Sequence, residues 1–448
     1  MKIFKFIMRY RLLIILIISV FCASNVKWGG QRWKEIIAFD GKGYYAYLPA
    51  VFIYHDLQLS FLDSIEEKYS GPNTHFEIRV VTPQGTIDKY FCGTALAQLP
   101  FFIIAHLLTK LTGGNADGYS YFYQINISLA GIIYVLIGLF FLQKILRNYS
   151  ISEPIITIVI FTIFFGTQLF YYSIFEPSCS HVYSFAAITA FIFFLKKYID
   201  NQNDKCLILL GTLLGIITLI RPVNGLIIFI FPFLASSREL TFRVIKNIIK
   251  NKTRFVTAAT LFILITSLQF LFYYLQTGKI FIDSYVVESF IWNRPEIINI
   301  LFSYKKGLFI YTPVTFIALA GLIPLFNKSR FSFWWFIIFF LLISYVFSCW
   351  WMWWYGGSFS ARPYTEFLSL FGILLALCLT RIIKTFNRIL IYSLIVFCII
   401  LCQVQIYQFR YYIIHWEKMD KEHYWRVFMR LDQILKQENP NNDLLKKD

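Results

Sequence analysis

The chain is built from long apolar runs separated by short polar ones. Runs near 12–26, 121–142, 154–173, 182–197, 206–220, 222–235, 255–276, 311–326, 333–348, 366–380 and 389–405 approach the roughly 20 residues, at about 1.5 Å each, that cross a bilayer as a helix. Ile155–Phe170 and Leu261–Leu275 are apolar nearly all round, whereas a helix on a soluble core keeps a polar stripe. The pattern predicts an all-α polytopic membrane protein with about 11 transmembrane helices.

A twelfth run, Thr94–Leu111, decides the topology. If it crosses, the loops holding Lys144 and Arg147, then Lys196, Lys197 and Lys205, then Arg238 to Arg254 face outward, against the positive-inside tendency. If it is broken or lies on the outer leaflet, as Gln98, Pro100, His106 and Lys110 suggest, eleven spans remain. Inward segments then carry 20 of the 42 Lys/Arg and four acids (Glu153, Asp200, Asp204 and Glu239). The expected topology has the N-terminus inside and the C-terminus outside. It gives outward loops at 27–120, 277–310 and 349–365. The chain then divides into a membrane domain, 1–405, and an outward tail or interfacial helix, 406–448.

Composition agrees: 58% of the 448 residues are hydrophobic and 15% charged, far from a soluble average. A net charge of +17 could signal nucleic acid, but the excess sits in short inter-span loops and no nucleic-acid partner is expected. Lys2, Lys5, Arg9 and Arg11 precede the run Leu12–Ala23, which reads as a retained first span rather than a cleaved signal. The eight cysteines and six histidines form no CxxC pair and no zinc motif, so the cysteines read as free thiols.

Candidate chemistry lies at the outward ends of spans, because charge at membrane depth is costly. The first candidate is Asp40 in Phe39-Asp40-Gly41-Lys42-Gly43-Tyr44-Tyr45. Gly41 and Gly43 permit unusual backbone angles and close approach to a ligand; the plain alternative is a turn-forming Asp-Gly pair. The second is Glu176-Pro177-Ser178-Cys179-Ser180-His181. Its Glu and His can serve as acid, base or metal ligands, or Ser180 can simply cap the helix that follows. A divalent ion is the one cofactor this pair leaves open. Third come outward cations: Arg221, Lys305, Lys306 and Arg362, the last in a glycine-rich turn with Tyr355. They suit a phosphate at the membrane surface, or snorkel to headgroups. The run Trp350–Trp354 fits an interfacial aromatic belt and a sugar site equally.

In this order the features resemble a GT-C-type glycosyltransferase, in the group of the protein O-mannosyltransferases and the aminoarabinose transferase of lipid A. The resemblance implies a first span, then a long outward loop with a catalytic Asp, matched by Asp40. It implies two juxtamembrane helices, matched by Tyr44–Tyr54 and Thr94–Leu111, and a second acidic position in the next outward turn, matched by Glu176 with His181 nearby. Departures are the Glu where mannosyltransferases commonly place Asp, and the lack of a large soluble outward domain or a sequon-binding motif.

The expected activity is transfer of a sugar from a polyprenyl-phosphate donor to a glycan, lipid or protein hydroxyl, at the outward face of a bacterial inner membrane and among its lipids. Asp40 is the expected base, and Glu176 and His181 are the further expected catalytic residues, positioning donor or acceptor or binding a divalent ion. Lys42, Tyr44, Tyr45, Arg221, Lys305, Lys306, Tyr355 and Arg362 are expected to bind substrate. A lipid-linked glycan flippase, an O-antigen ligase or polymerase, and a non-catalytic assembly subunit are the rivals.

Overall fold

The computed structural model describes residues 2–70, 78–286, 288–382 and 385–431, with side chains from residue 5 and not for residue 385. In chain order its first helices are α1 (Lys2–Ala23), α2 (Asp40–Pro49) and α3 (Leu62–Ser70). A hairpin of β1 (Arg79–Thr82) and β2 (Gly85–Asp88) follows, antiparallel and pairing Arg79 with Asp88. Then come α4 (Gly93–Leu111), α5 (Tyr121–Asn148), α6 (Glu153–Phe165), α7 (Leu169–Ile174), α8 (His181–Asn201), α9 (Asp204–Ile220), α10 (Phe231–Ala235), α11 (Arg238–Lys250) and α12 (Lys252–Thr277). Beyond these, Arg330–Ser348, Leu368–Arg381 and Thr385–Arg410 are the long helices.

Among the described residues, eight helices are long and apolar enough to cross a membrane, and the protein is an all-α, multi-pass membrane protein in this sense. The remaining expected spans are shorter: Glu153–Phe165, Pro222–Ala235, Pro313–Lys328 and the 17-residue α9. The expected span 154–173 is interrupted between Phe165 and Leu169. The last long helix runs five residues past 405, to Arg410, before the short helix Lys421–Val427. That short helix packs back by Gln405 Nε2 donating to Tyr424 Oη (2.8 Å) and Gln408 Nε2 to the Val427 carbonyl (2.7 Å). Residues from 432 onward lie outside the described residues.

Helix ends follow local chemistry. Asn203 caps α9 through Lys205 N, and Ser237 caps α11 through Leu240 N, satisfying donors that have no partner inside a first turn. Gly278, at φ +74°, closes α12 in the left-handed conformation that costs glycine least.

Two compact units divide the chain: Met1–Ile145 with Tyr172–Val287, and Leu146–Tyr171 with Glu288–Asp448. In the first, α2 lies against α4. Tyr45, Ala46, Leu48 and Ala50 join Ala95, Phe102, Ala105, Tyr119, Tyr123 and Ile127 in one buried cluster. For Thr94–Leu111 the broken form is corrected: α4 is one continuous helix, with Pro100 inside it. It is also among the eight helices of crossing length. Gln98 is buried and His106 half-buried, while Lys110 is exposed. Gln98 Nε2 donates to the Ser178 carbonyl (3.0 Å) and Tyr183 Oη (3.1 Å), and His106 pairs with Tyr123 Oη. Tyr44–Tyr54 is helical as expected, continuing α2 through a wider turn at Ala50–Tyr54.

Candidate functional site

Asp40 is the first residue of α2 and is reached through a strained entrance. Phe39 sits at φ 49°, ψ −134°, a conformation that costs a non-glycine residue about 1–3 kcal/mol and persists only where its surroundings impose it. Those surroundings are visible. Ile37 N donates to Gln124 Oε1 (2.8 Å), the Ile36 carbonyl accepts from Ser178 Oγ (2.9 Å), and Gly41 N returns to the Ala38 carbonyl (2.9 Å).

The two glycines after Asp40 act differently from the expectation. Both lie inside the helix, and neither has positive φ. What they supply is proximity. A Cβ on Gly41 would stand 2.0 Å from Ser178 Oγ; one on Gly43 would stand 2.3 Å from the Tyr90 ring and 3.0 Å from Asp88 Oδ1. The strained angle belongs to Phe39, one residue earlier.

Through Gly41 the Asp40 helix therefore rests on the turn Glu176–His181, uniting two motifs that lie about 140 residues apart in the chain. Glu176 and His181 are both buried there, 6% and 2% exposed. Cys179 Sγ stands 3.7 Å from Glu176 Oε2, and the His181 ring packs on Tyr172 with centroids 4.6 Å apart. Arg221 follows the last turn of α9 and brings Nη1 to 3.5 Å from His181 Nδ1. A guanidinium only donates, so Nδ1 is the accepting nitrogen of that contact. Gly93 lets α4 begin directly against the backbone just before this arginine, where a Cβ would stand 2.3 Å from the Ile220 nitrogen. The capping alternative for Ser180 fails: it precedes α8 without a side-chain cap, and its buried Oγ has no hydrogen-bond partner.

Two residues absent from the sequence-based expectation complete the arrangement. Tyr90 Oη donates to Asp40 Oδ1 at 3.0 Å. Tyr90 is itself held firmly: its N–H donates to Asp88 Oδ1 (2.8 Å), its carbonyl accepts from Tyr47 Oη (2.7 Å), and its ring lies 4.7 Å from that of Tyr44. Asp88 is fully buried, and its Oδ2 has no hydrogen-bond partner. Burial pushes its carboxyl well above the usual carboxylate range, partly opposed by the Tyr90 N–H. The neutral form is thus the one the fold favours. The signal for these residues is Ile87-Asp88-Lys89-Tyr90, an acid and an aromatic at a strand end, but nothing local ties it to Asp40.

Lys42 is half-buried on α2. Burial lowers its ammonium to about 8, with Glu66 pulling the other way. Glu66 is also gripped by Arg79, whose Nη2 lies 3.1 Å from Oε2. An unfolded lysine keeps its proton to about 10.5, so the unfolded chain binds more protons between pH 8 and 10.5. Stability accordingly gains from this group as pH rises through that window. Lys42→Met is expected to flatten that part of the curve, seen as a smaller rise of Tm from pH 8 to 10 than in the parent. An unchanged slope contradicts the assignment.

Of the remaining expected contacts, Tyr45 is corrected. It is wholly buried, its hydroxyl donates to the Gly118 carbonyl, and its ring meets Tyr119 and Phe102. It is a packing residue. Lys305, Lys306, Tyr355 and Arg362 belong to the second unit and converge on its 349–365 loop. Lys305 Nζ sits 3.6 Å from the Trp354 ring centroid, buried Lys306 donates to the Ser358 carbonyl, and Arg362 stacks 5.9 Å from the Tyr355 ring. Tyr355 has φ 54° and Gly356 φ 61°, which fold this loop back on its cations.

Among the described residues no group of three or more His, Cys, Asp and Glu is placed to hold a metal ion. The eight cysteines form no disulfide. The chain matches no protein-family model, no curated protein and no solved structure.

Proposed function

We propose that this protein is a membrane glycosyltransferase of GT-C type. In this reading it moves a sugar from a polyprenyl-phosphate donor to a hydroxyl acceptor at the outward face of a bacterial inner membrane. The observation that carries the reading is Asp40 itself. It is a half-buried carboxylate on a strained helix start, held by Tyr90 and seated on the Glu176–His181 turn that Arg221 adjoins.

The chemistry follows from those groups. The acceptor hydroxyl gives its proton to Asp40 as its oxygen bonds to the anomeric carbon. The bond from that carbon to the phosphate oxygen breaks with inversion, and polyprenyl phosphate departs. Arg221 stabilises the charge that gathers on the leaving phosphate, while Glu176 and His181 orient the sugar. Tyr44, on the same helix, adds an aromatic wall. Only residues of the first unit take part in these steps.

The deciding experiment uses purified protein in proteoliposomes with a polyprenyl-phosphate sugar labelled on the sugar. Release of free polyprenyl phosphate with label passing to an acceptor supports a transferase. Label crossing the bilayer on an intact donor overturns it in favour of a flippase.

Tyr90→Phe provides a finer test. A hydrogen bond to a charged group is worth about 1.5–3 kcal/mol, so its loss is expected to lower kcat about tenfold while KM stays near the parent value. A kcat equal to the parent would show that Tyr90 does not orient the base.

A further inference from the structure

Residues 236–254, a basic loop by sequence, contain the helix α11, Arg238–Lys250. Its three faces have distinct characters at about 100° per residue. Thr241 and Val244 are buried against the protein. Phe242, Ile245 and Ile249, spaced i, i+3, i+7, form an exposed apolar arc at 59%, 38% and 62% exposure. Arg243, Lys246 and Lys250, with the same spacing one residue on, form a basic arc beside it. Arg238 reaches over the Phe242 ring at 5.5 Å. Against these four cations the helix carries one acid, Glu239.

The level of α11 in the fold is fixed by its neighbours. Asn247 Nδ2 donates to Gln202 Oε1, and Asn251 Nδ2 donates to Asp204 Oδ1 at 2.8 Å. Arg254 Nε lies 3.6 Å from Asp204 Oδ2. Gln202 and Asp204 form the connection where α8 ends and α9 begins, and α12 starts at Lys252. Helices α8 and α12 are both of crossing length, so their ends here mark one membrane face. The C-terminal end of α11 is tied to that face through Asn247 and Asn251.

We propose that α11 is an in-plane docking surface for anionic phospholipids of the leaflet it lies along. Phe242, Ile245 and Ile249 enter the acyl boundary, and Arg243, Lys246 and Lys250 meet the headgroup phosphates. Charge complementarity selects this occupant. Zwitterionic lipid satisfies the apolar arc alone, whereas each basic residue at an anionic surface contributes on the order of 1 kcal/mol. This surface is independent of the chemistry proposed for Asp40.

The test places a benzophenone amino acid at Ile249 of the full chain in nanodiscs with equal amounts of phosphatidylglycerol and phosphatidylcholine. After irradiation, lipid adducts on the α11 peptide are counted by mass spectrometry. Phosphatidylglycerol adducts are expected to exceed phosphatidylcholine adducts by more than about fivefold, the scale of a single basic residue at an anionic surface, since three contribute. Arg243→Gln/Lys246→Gln/Lys250→Gln is expected to bring the ratio to about one, and Lys246→Gln alone to an intermediate value if the triple variant does not accumulate. Absence of lipid adducts, equal adducts in the parent, or a ratio untouched by these substitutions overturns the proposal.

Discussion

Asp40→Asn is expected to abolish sugar transfer while leaving the protein folded and inserted. The substitution keeps the shape of the side chain and leaves an amide oxygen that can still accept from Tyr90 Oη, at 3.0 Å in the parent. What it removes is the ability to take a proton. A positioned general base typically contributes about 10²–10⁴-fold, so turnover should fall by at least about 10²-fold with the donor still bound. Three measurements check this together: release of polyprenyl phosphate, binding of the labelled donor, and Tm. Turnover near the parent level sinks the assignment of Asp40. A large fall in Tm would instead mark the carboxylate as structural, since the strained Phe39 beside it already depends on its surroundings.

Much of this arrangement is legible in the chain, for identifiable reasons. Membrane helices announce themselves because apolar residues must line every face exposed to lipid, and α1, α5, α8, α12 and Arg330–Ser348 are helices where the runs predict them. Asp40, Glu176, His181 and Arg221 stand out as charged or titratable groups at the ends of apolar runs, where such groups are expensive without a purpose. Their convergence is not legible. It depends on Gly41 meeting Ser178 and on Ser178 Oγ reaching the Ile36 carbonyl, contacts between segments with no periodic relation. Tyr90 and Asp88 are hidden for the same reason. In Thr94–Leu111 the sequence shows Gln98 and His106 as polar residues but not what they meet. Their partners, Ser178 and Tyr123, lie on other segments of the chain.

Gly41→Ala tests that convergence directly, and its effect should approach that of losing the base. The added Cβ would lie 2.0 Å from Ser178 Oγ, 2.6 Å from Ser178 Cβ and 3.1 Å from the Ser178 carbonyl carbon. Rotation of the serine hydroxyl relieves the first contact and not the second. Either the start of α2 or the Glu176–His181 turn must therefore move, and overpacking of this kind costs about 1–3 kcal/mol. Propensity alone runs the other way, since alanine is worth up to about 1 kcal/mol over glycine inside a helix, so a lowered Tm isolates the steric term. Displacing Asp40 by about 1 Å relative to the turn is expected to cost on the order of 10²-fold in turnover. The companion variant Gly41→Ala/Ser178→Gly removes both clashing side-chain atoms. It is expected to regain most of the lost Tm and part of the turnover, short of the parent because the Ser178–Ile36 hydrogen bond is gone. If Gly41→Ala alone keeps parental turnover, the helix start and the turn do not work as one site; if the double variant recovers Tm without turnover, Ser178 has a role beyond packing.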